Sequence, residues 1–351
     1  MQGNSCRLLK RTPMIKLLLV DDSAIIRAIL KQVLADDKRF SIVGEAANGA
    51  DAITQAKLLS PDLIIMDINM PVMDGIEATK IIMKEAPAAI VLFSTEDTAK
   101  YGFKGISAGA VEMMTKPDLG SSSTEFYNNF REKLYSIGSK NRKYAPAPHV
   151  EQKQTDSGKH GYDLIMVGAS TGGPAAVQTL IQGLGPDIGV PVLVTQHIDA
   201  SFAEYYAPWL SETTKMDVHF AKDFETCMNG VVYVAPADYH MGVSKDAEGS
   251  YVIRLNQEAE MHFLRPAVDP MFLSGAKVAG GNCIGILLTG MGRDGAEGCI
   301  ELKKRNAFTI CESEESCAVF GMPKAAIDAG ATDIILPVKE IGKYVRSMLG
   351  R

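Results

Sequence analysis

One serine of this chain sits where a nucleophile could be made. Leu164-Ile165-Met166-Val167-Gly168-Ala169 reads as an apolar strand that runs straight into Ser170-Thr171-Gly172-Gly173-Pro174. The glycines let the chain turn sharply, and Ala175–Leu180 can start a helix whose free amides would face developing negative charge. A phosphate cradle is the competing use of such a loop, but the Gly-Lys-Ser/Thr ending that reaches nucleotide phosphates is missing. A serine hydroxyl needs a base, and the base must come from a neighbouring strand end. His197 follows the apolar run Val190–Gln196, and in a parallel sheet both strand ends open on one side. His219, His240 and His262 read as packed or solvated histidines, and His149 and His160 fall in a polar stretch. A third apolar run, Cys283–Thr289, leads into Gly290-Met291-Gly292-Arg293-Asp294-Gly295. With Glu312, Glu314 and Glu315 about 20 residues on, this loop imitates a dinucleotide fingerprint. Asp294 would repel a pyrophosphate there, whereas it suits the carboxylate that orients His197. Thr171, the residue after the nucleophile, supplies a natural oxyanion amide, and the Met291 loop is the second candidate.

A second constellation lies in the N-terminal part. The apolar strand Met14–Val20 ends in Asp21-Asp22, Leu63–Met66 ends in Asp67, Ile90–Phe93 ends in Ser94-Thr95, and Val111–Thr115 runs into Lys116-Pro117. Three acids, a hydroxyl and a lysine would meet at the carboxyl edge of one parallel sheet. Clustered carboxylates repel, so Asp21, Asp22 and Asp67 call for a divalent cation, and oxygen-only ligands suit Mg²⁺. Ser94 and Lys116 could then engage a phosphoryl group on Asp67.

The elements that must position these groups imply two doubly wound α/β domains with parallel sheets. At 351 residues the chain exceeds one ordinary core, and 46% hydrophobic with 22% charged residues is ordinary globular material. Residues 1–13 read as an N-terminal extension and an alternative start, without the apolar core of a secretory signal. The first domain is expected over 14–137, closed by a helix around Glu125–Leu134, and the second over 161–351. Between them, 138–160 is polar, carries Ala145-Pro146-Ala147-Pro148, and reads as a flexible linker. Val231–Leu255 reads as short β segments, a hairpin on the edge of the second sheet. A net charge of -6 and pI near 5.6, without a helix-turn-helix pattern, exclude a nucleic-acid partner. The six cysteines lack zinc-site pairing and suit a reducing cytoplasm, and no apolar run approaches the ~18 residues of a membrane span.

Gly-Ala-Ser-Thr-Gly-Gly, Gln-His and Leu-Thr-Gly-Met-Gly-Arg-Asp-Gly-Ala together resemble the chemotaxis protein-glutamate methylesterases. The likeness continues through Val231–His240, Arg265–Asp269 and Ser316–Pro323, and so covers nearly all of 161–349. It implies a Rossmann-like esterase domain that removes methyl groups from glutamate methyl esters of chemoreceptors, with glutamine deamidation as a related activity and no cofactor required for the esterase. One departure lies beside the base: the family usually runs Met-Pro-Pro-Gly-Phe-Thr before Ser-Phe-Ala, and here only Ile198-Asp199-Ala200 precedes Ser201-Phe202-Ala203. The N-terminal constellation, with Met70-Pro71 and Met73-Asp74-Gly75, resembles the receiver domain of two-component response regulators, a flavodoxin-like fold. That likeness implies phosphorylation of Asp67 by a histidine kinase, with the paired acids holding Mg²⁺. Met113 departs from the aromatic usual three positions before the lysine. The alternatives are a non-catalytic response-regulator scaffold and a dinucleotide-binding enzyme using Gly290–Gly295.

Overall fold

The computed structural model describes residues 14–94, 99–116, 124–141 and 161–351. The expected extension, most of the expected linker, and Cys6, Thr95, Pro117, His149 and His160 lie outside the described residues. The described chain forms two compact units, one of residues up to Phe93 with 124–141, the other of Ser94–Lys116 with 161–351. The cut differs from a division at the linker, because Ser94–Lys116 groups with the C-terminal residues.

In chain order the N-terminal elements are β1 (Ile15–Val20), α1 (Ala24–Ala35), β2 (Phe40–Ala46), α2 (Gly49–Leu59), β3 (Leu63–Asp67), α3 (Gly75–Glu85), β4 (Ala89–Ser94), α4 (Ala99–Ala108), β5 (Glu112–Thr115) and α5 (Thr124–Gly138). The strands follow the order β2-β1-β3-β4-β5, and the pairings β1–β2, β1–β3 and β3–β4 are parallel. Helices on both faces bury the central strands, which is why they read as unbroken apolar runs. β3 is buried over its whole length. Side-chain caps set the helix starts: Ser23 accepts from the Ile26 amide and Asp74 from the Glu77 amide.

The C-terminal elements are β6 (Leu164–Ala169), α6 (Gly173–Leu184), β7 (Val192–Gln196), α7 (Ala200–Thr214), β8 (Asp217–Phe220), β9 (Val231–Val234), β10 (His240–Lys245), β11 (Tyr251–Asn256), α8 (Val268–Val278), β12 (Cys283–Leu287), α9 (Ala296–Lys304), β13 (Phe308–Glu312), α10 (Met322–Asp328), β14 (Ile334–Leu336) and α11 (Val338–Met348). Seven strands form one parallel sheet in the order β14-β13-β12-β6-β7-β9-β8. Chain progress moves outward from β6 through β7, then returns to the other side of β6 with β12. The strand order therefore reverses at β6, and the crevice at such a reversal is where doubly wound sheets hold ligands. β6 and β12 are buried along their whole length, and each large apolar side chain so buried contributes about 1.5–3 kcal/mol.

The segment Val231–Leu255 is not a hairpin on the edge of the main sheet: β9 belongs to that sheet, while β10 and β11 form a separate antiparallel pair. The pair packs over α8, where Ser274 Oγ accepts from the Val243 amide, and its buried Met241, Val243, Tyr251 and Ile253 share a core with Met271 and Phe272. An apolar face that meets a helix need not extend a sheet, and alternation alone does not distinguish the two. Cys227, Cys283, Cys299, Cys311 and Cys317 are free thiols. No helix among the described residues is long and apolar enough to cross a membrane.

Candidate active site

Ser170, His197 and Asp294 follow three neighbouring strands, because β6 lies between β12 and β7. The strand pairings continue past the strand ends. The Ser170 amide donates to Thr289 O at 2.9 Å, and the His197 amide donates to Ala169 O at 3.0 Å. Gly290 presses on the serine so closely that a Cβ there would lie 2.7 Å from Ser170 Cβ. Only glycine permits this approach, which sets the Met291 loop beside the serine. Met291 itself is 38% exposed. Thr171 is buried, and its carbonyl accepts from Thr289 Oγ1 at 2.9 Å. Among the described residues nothing accepts from its amide, which stands just before α6.

His197 Nε2 lies 2.7 Å from Asp294 Oδ2, with side chains 7% and 2% exposed. This bond places the ring proton on Nε2 and leaves Nδ1 as the basic nitrogen. No hydrogen bond joins Ser170 Oγ to His197 among the described residues, as is common for a serine–histidine pair before substrate binds. The carboxylate of Asp294 is gripped by backbone: Oδ2 also accepts from Val268 N at 2.6 Å, and Oδ1 accepts from Asp269 N at 3.0 Å and Gly295 N at 2.9 Å. Two of these amides open α8, whose N-terminal dipole favours a negative charge. Burial pushes the Asp294 carboxyl up, but His197 and the amides outweigh it and hold the group below the usual carboxylate range.

Gln196 is a participant that sequence reasoning passed over. Its Nε2 donates to Ser170 O at 2.8 Å and to His197 O at 2.7 Å, so one side chain ties the carbonyls of both residues. A polar residue ending a buried strand had to find such partners, and that was the available signal. The other histidines are engaged elsewhere. His219 bonds Asp217 and Glu225, His240 accepts from the Ala267 amide, and His262 bonds Asp269. Glu312 is buried and accepts from Thr289 N and Ser316 Oγ, so it serves the strand ends rather than a ribose. The short segment after His197 is closed by Asp199, which caps α7 by accepting from Ser201 N at 3.0 Å.

Behind Asp294 lies a second buried carboxyl. Asp269 accepts from Gly298 N at 2.7 Å and pairs with His262 Nε2 at 2.9 Å. Burial, together with the Asp294 charge, raises it to about 6. A carboxyl raised in the folded state adds stability that is full below its unfolded value and is lost as pH rises through its folded value. Relative to Asp269→Asn, the wild type should therefore lose about 1 kcal/mol of unfolding free energy between pH 5 and pH 8. Urea melts of both proteins at the two pH values check this; parallel shifts would contradict it.

In the N-terminal unit, carboxylate oxygens of Asp21, Asp22 and Asp67 all lie within 4.8 Å of one another. Register explains the meeting, since Val20 pairs with Met66 and the acids follow directly. Asp21 and Asp67 are buried and Asp22 is exposed. Asp67 is also pressed from behind, because a Cβ on Gly75 would lie 2.0 Å from Asp67 O. This is the physical reason for a glycine after Asp74. Ser94 ends β4 and Lys116 directly follows β5.

Comparison with known proteins fits this architecture. A family model described as CheB methylesterase matches residues 165–345, and one described as response regulator receiver domain matches 17–121. The protein-glutamate methylesterase/protein-glutamine glutaminase of Pyrococcus horikoshii is 33% identical over 341 residues, covering 94% of this chain and 92% of the relative. Protein-glutamate methylesterase/protein-glutamine glutaminase 1 of Methanosarcina acetivorans is 38% identical over 340 residues, covering 93% of this chain and 96% of the relative. The crystal structure of the Thermotoga maritima CheB methylesterase catalytic domain is similar with a TM-score of 0.52 at 33% identity, covering 53% of this chain and 98% of that domain. With a match of this length running through the strand ends that carry Ser170, His197 and Asp294, the chain belongs to the CheB methylesterase family.

Proposed function

We propose that this chain is a phosphorylation-controlled protein-glutamate methylesterase that acts on methylated chemoreceptors through Ser170, His197 and Asp294. The observation that carries the reading is the 2.7 Å His197–Asp294 pair at the strand ends flanking Ser170. Ser170 Oγ attacks the ester carbonyl as His197 Nδ1 takes its proton. The tetrahedral oxyanion is met by the Thr171 amide at the start of α6, with the Met291 loop as the second donor. His197 then protonates the departing methanol, and water, activated by the same nitrogen, releases the glutamate. Asp294 stays ionised and stabilises the imidazolium. Ammonia can leave in place of methanol, so glutamine deamidation follows from the same acyl chemistry. A dinucleotide site at Gly290–Gly295 is disfavoured because Asp294 is already engaged by His197 and three amides.

Asp67 is the proposed phosphoryl acceptor, with a histidine kinase as donor. The oxygen-only set of Asp21, Asp22 and Asp67 fits Mg²⁺, which when bound supplies positive charge against the phosphoryl oxygens. Ser94 and Lys116 are the proposed phosphoryl contacts. Control is proposed to run through Ser94–Lys116, which belongs to the same compact unit as the C-terminal residues. There Phe103 stacks on Tyr206 and Trp209 with centroids 5.6 and 5.0 Å apart, and Trp209 Nε1 donates to Ser107 Oγ. Thr115 and Ser201 hydroxyls lie 3.0 Å apart, and α7, which carries Ser201, Tyr206 and Trp209, begins three residues after His197. Met113, buried at the usual aromatic position, packs against Gly102 of α4. Phosphorylation is proposed to weaken this packing and shift the population toward an open form; each 1.4 kcal/mol changes the ratio tenfold.

A fragment of residues 161–351 tests activity and control together. It should release methanol from methylated receptor faster than the unphosphorylated intact chain and ignore phosphodonor. A folded fragment that releases none would leave the scaffold reading; one no faster than the intact chain would contradict restraint through this packing.

A further inference from the structure

Gln196 ends β7 opposite Ala169 of β6, so it stands beside the residue that precedes the nucleophile. It is buried, and its Nε2 spends both hydrogens, one on Ser170 O and one on His197 O. Its Oε1 is packed against the first residue of α6, where a Cβ on Gly173 would lie 2.0 Å away, and no donor among the described residues reaches it. A buried acceptor left unpaired runs against the rule for protein interiors, and such exceptions gather at functional sites. A methionine would fill the same space without that cost. The two donated bonds are therefore what this amide supplies.

Ser170 O and the Thr171 N–H belong to one peptide unit. The unit is planar and trans, with its C=O and N–H pointing opposite ways, so a turn about its Cα–Cα axis swings both together. Ser170 O is held by two donors, Gln196 Nε2 at 2.8 Å and the Gly173 amide at 2.7 Å. In the next unit Thr171 O accepts from Thr289 Oγ1, which itself accepts from Val319 N at 2.9 Å. Between these anchors the Thr171 amide is a buried donor, with nothing among the described residues accepting from it. Its direction is fixed before any oxyanion forms.

We propose that Gln196 is a positioning residue that aims the Thr171 amide at the oxyanion by clamping the carbonyl of the same peptide unit. The inference rests on the proposed nucleophile and oxyanion donor. Without Nε2, Ser170 O keeps only the Gly173 amide, and the plane can turn. The donor is then misaimed where negative charge develops, so the loss falls on the transition state rather than on substrate binding.

The test uses the intact chain with phosphodonor, Mg²⁺ and membranes carrying methylated receptor. Gln196→Met keeps the side-chain length and loses both donated bonds; it should lower kcat about 10²-fold with KM within about twofold. The pH midpoint of kcat/KM should stay within about 0.3 of the wild-type value, because His197 keeps its bond to Asp294. Gln196→Glu gives a second readout. A carboxyl buried against two carbonyls is raised, and while protonated it can still donate one hydrogen. Its rate relative to wild type should therefore be highest at low pH and fall as the carboxyl ionises. A folded Gln196→Met with wild-type kcat overturns the inference, as does a change in KM alone. A pH midpoint moved by about one unit also overturns it, since Gln196 would then act on the base. If Gln196→Met does not fold, a Gln196→Glu rate in constant ratio to wild type across pH overturns it equally. Ser170→Ala, assayed alongside, separates the two claims. If it is inactive while Gln196→Met matches wild type, only this inference fails; if it matches wild type, the reading of the site fails and takes the inference with it.

Discussion

His197→Ala should slow methanol release by about 10⁴-fold or more, because the serine hydroxyl then has no base and the leaving methoxide no acid. Asp294→Asn should cost on the order of 10³–10⁴-fold, since an amide neither fixes the Nε2–H tautomer nor stabilises the imidazolium. Asn is the better probe at this position. Alanine would strip the acceptor from the amides of Val268, Asp269 and Gly295, all buried, and each orphaned donor costs about 1–3 kcal/mol. The losses should not multiply: a His197→Ala/Asp294→Asn double variant should be about as slow as His197→Ala alone, because the two residues act as one unit. A double variant showing the product of both losses would mean that they act separately.

Asp67→Asn should abolish Mg²⁺-dependent labelling by a small phosphodonor and with it all activation, while leaving basal methyl release within about twofold. An amide nitrogen or oxygen at this position cannot form the acyl phosphate, yet the isosteric side chain still fits beside Asp21 in its buried setting. Asp21→Asn and Asp22→Asn should instead weaken Mg²⁺ binding, measured directly by titration, because they remove ligand charge rather than the acceptor. Acid-stable label persisting in Asp67→Asn would move the phosphoryl group to another residue class.

Both constellations were legible because parallel strands covered on two faces leave unbroken apolar runs, and the residue that ends each run is displayed at one edge. That rule puts Asp21, Asp67 and His197 at strand ends, and for Ser170 it acts together with the glycine-rich turn that follows. Strand order was not legible: nothing local says that β12 returns to lie beside β6, and this placement is what brings Asp294 to His197. Gln196 was hidden by its neighbour, since a histidine in a Gln-His pair draws the chemical reading while the amide does the tying. The pairing of His262 with Asp269, and of Phe103 with Tyr206 and Trp209, joins residues separated by loops or by some hundred positions. Such contacts leave no periodicity. The β10–β11 pair was recognised as β structure but assigned to the wrong sheet, because an alternating strand looks the same whether its apolar face meets a sheet or α8.

The central claim is that Ser170 is the nucleophile of a protein methylesterase, and methanol release from membranes bearing methylated receptor addresses it most directly. Wild type and Ser170→Ala are compared at equal concentration with phosphodonor and Mg²⁺. The account predicts steady release by the wild type and a rate about 10⁴–10⁶-fold lower for Ser170→Ala, with the variant's Tm unchanged. Release by a folded Ser170→Ala protein at the wild-type rate would contradict it.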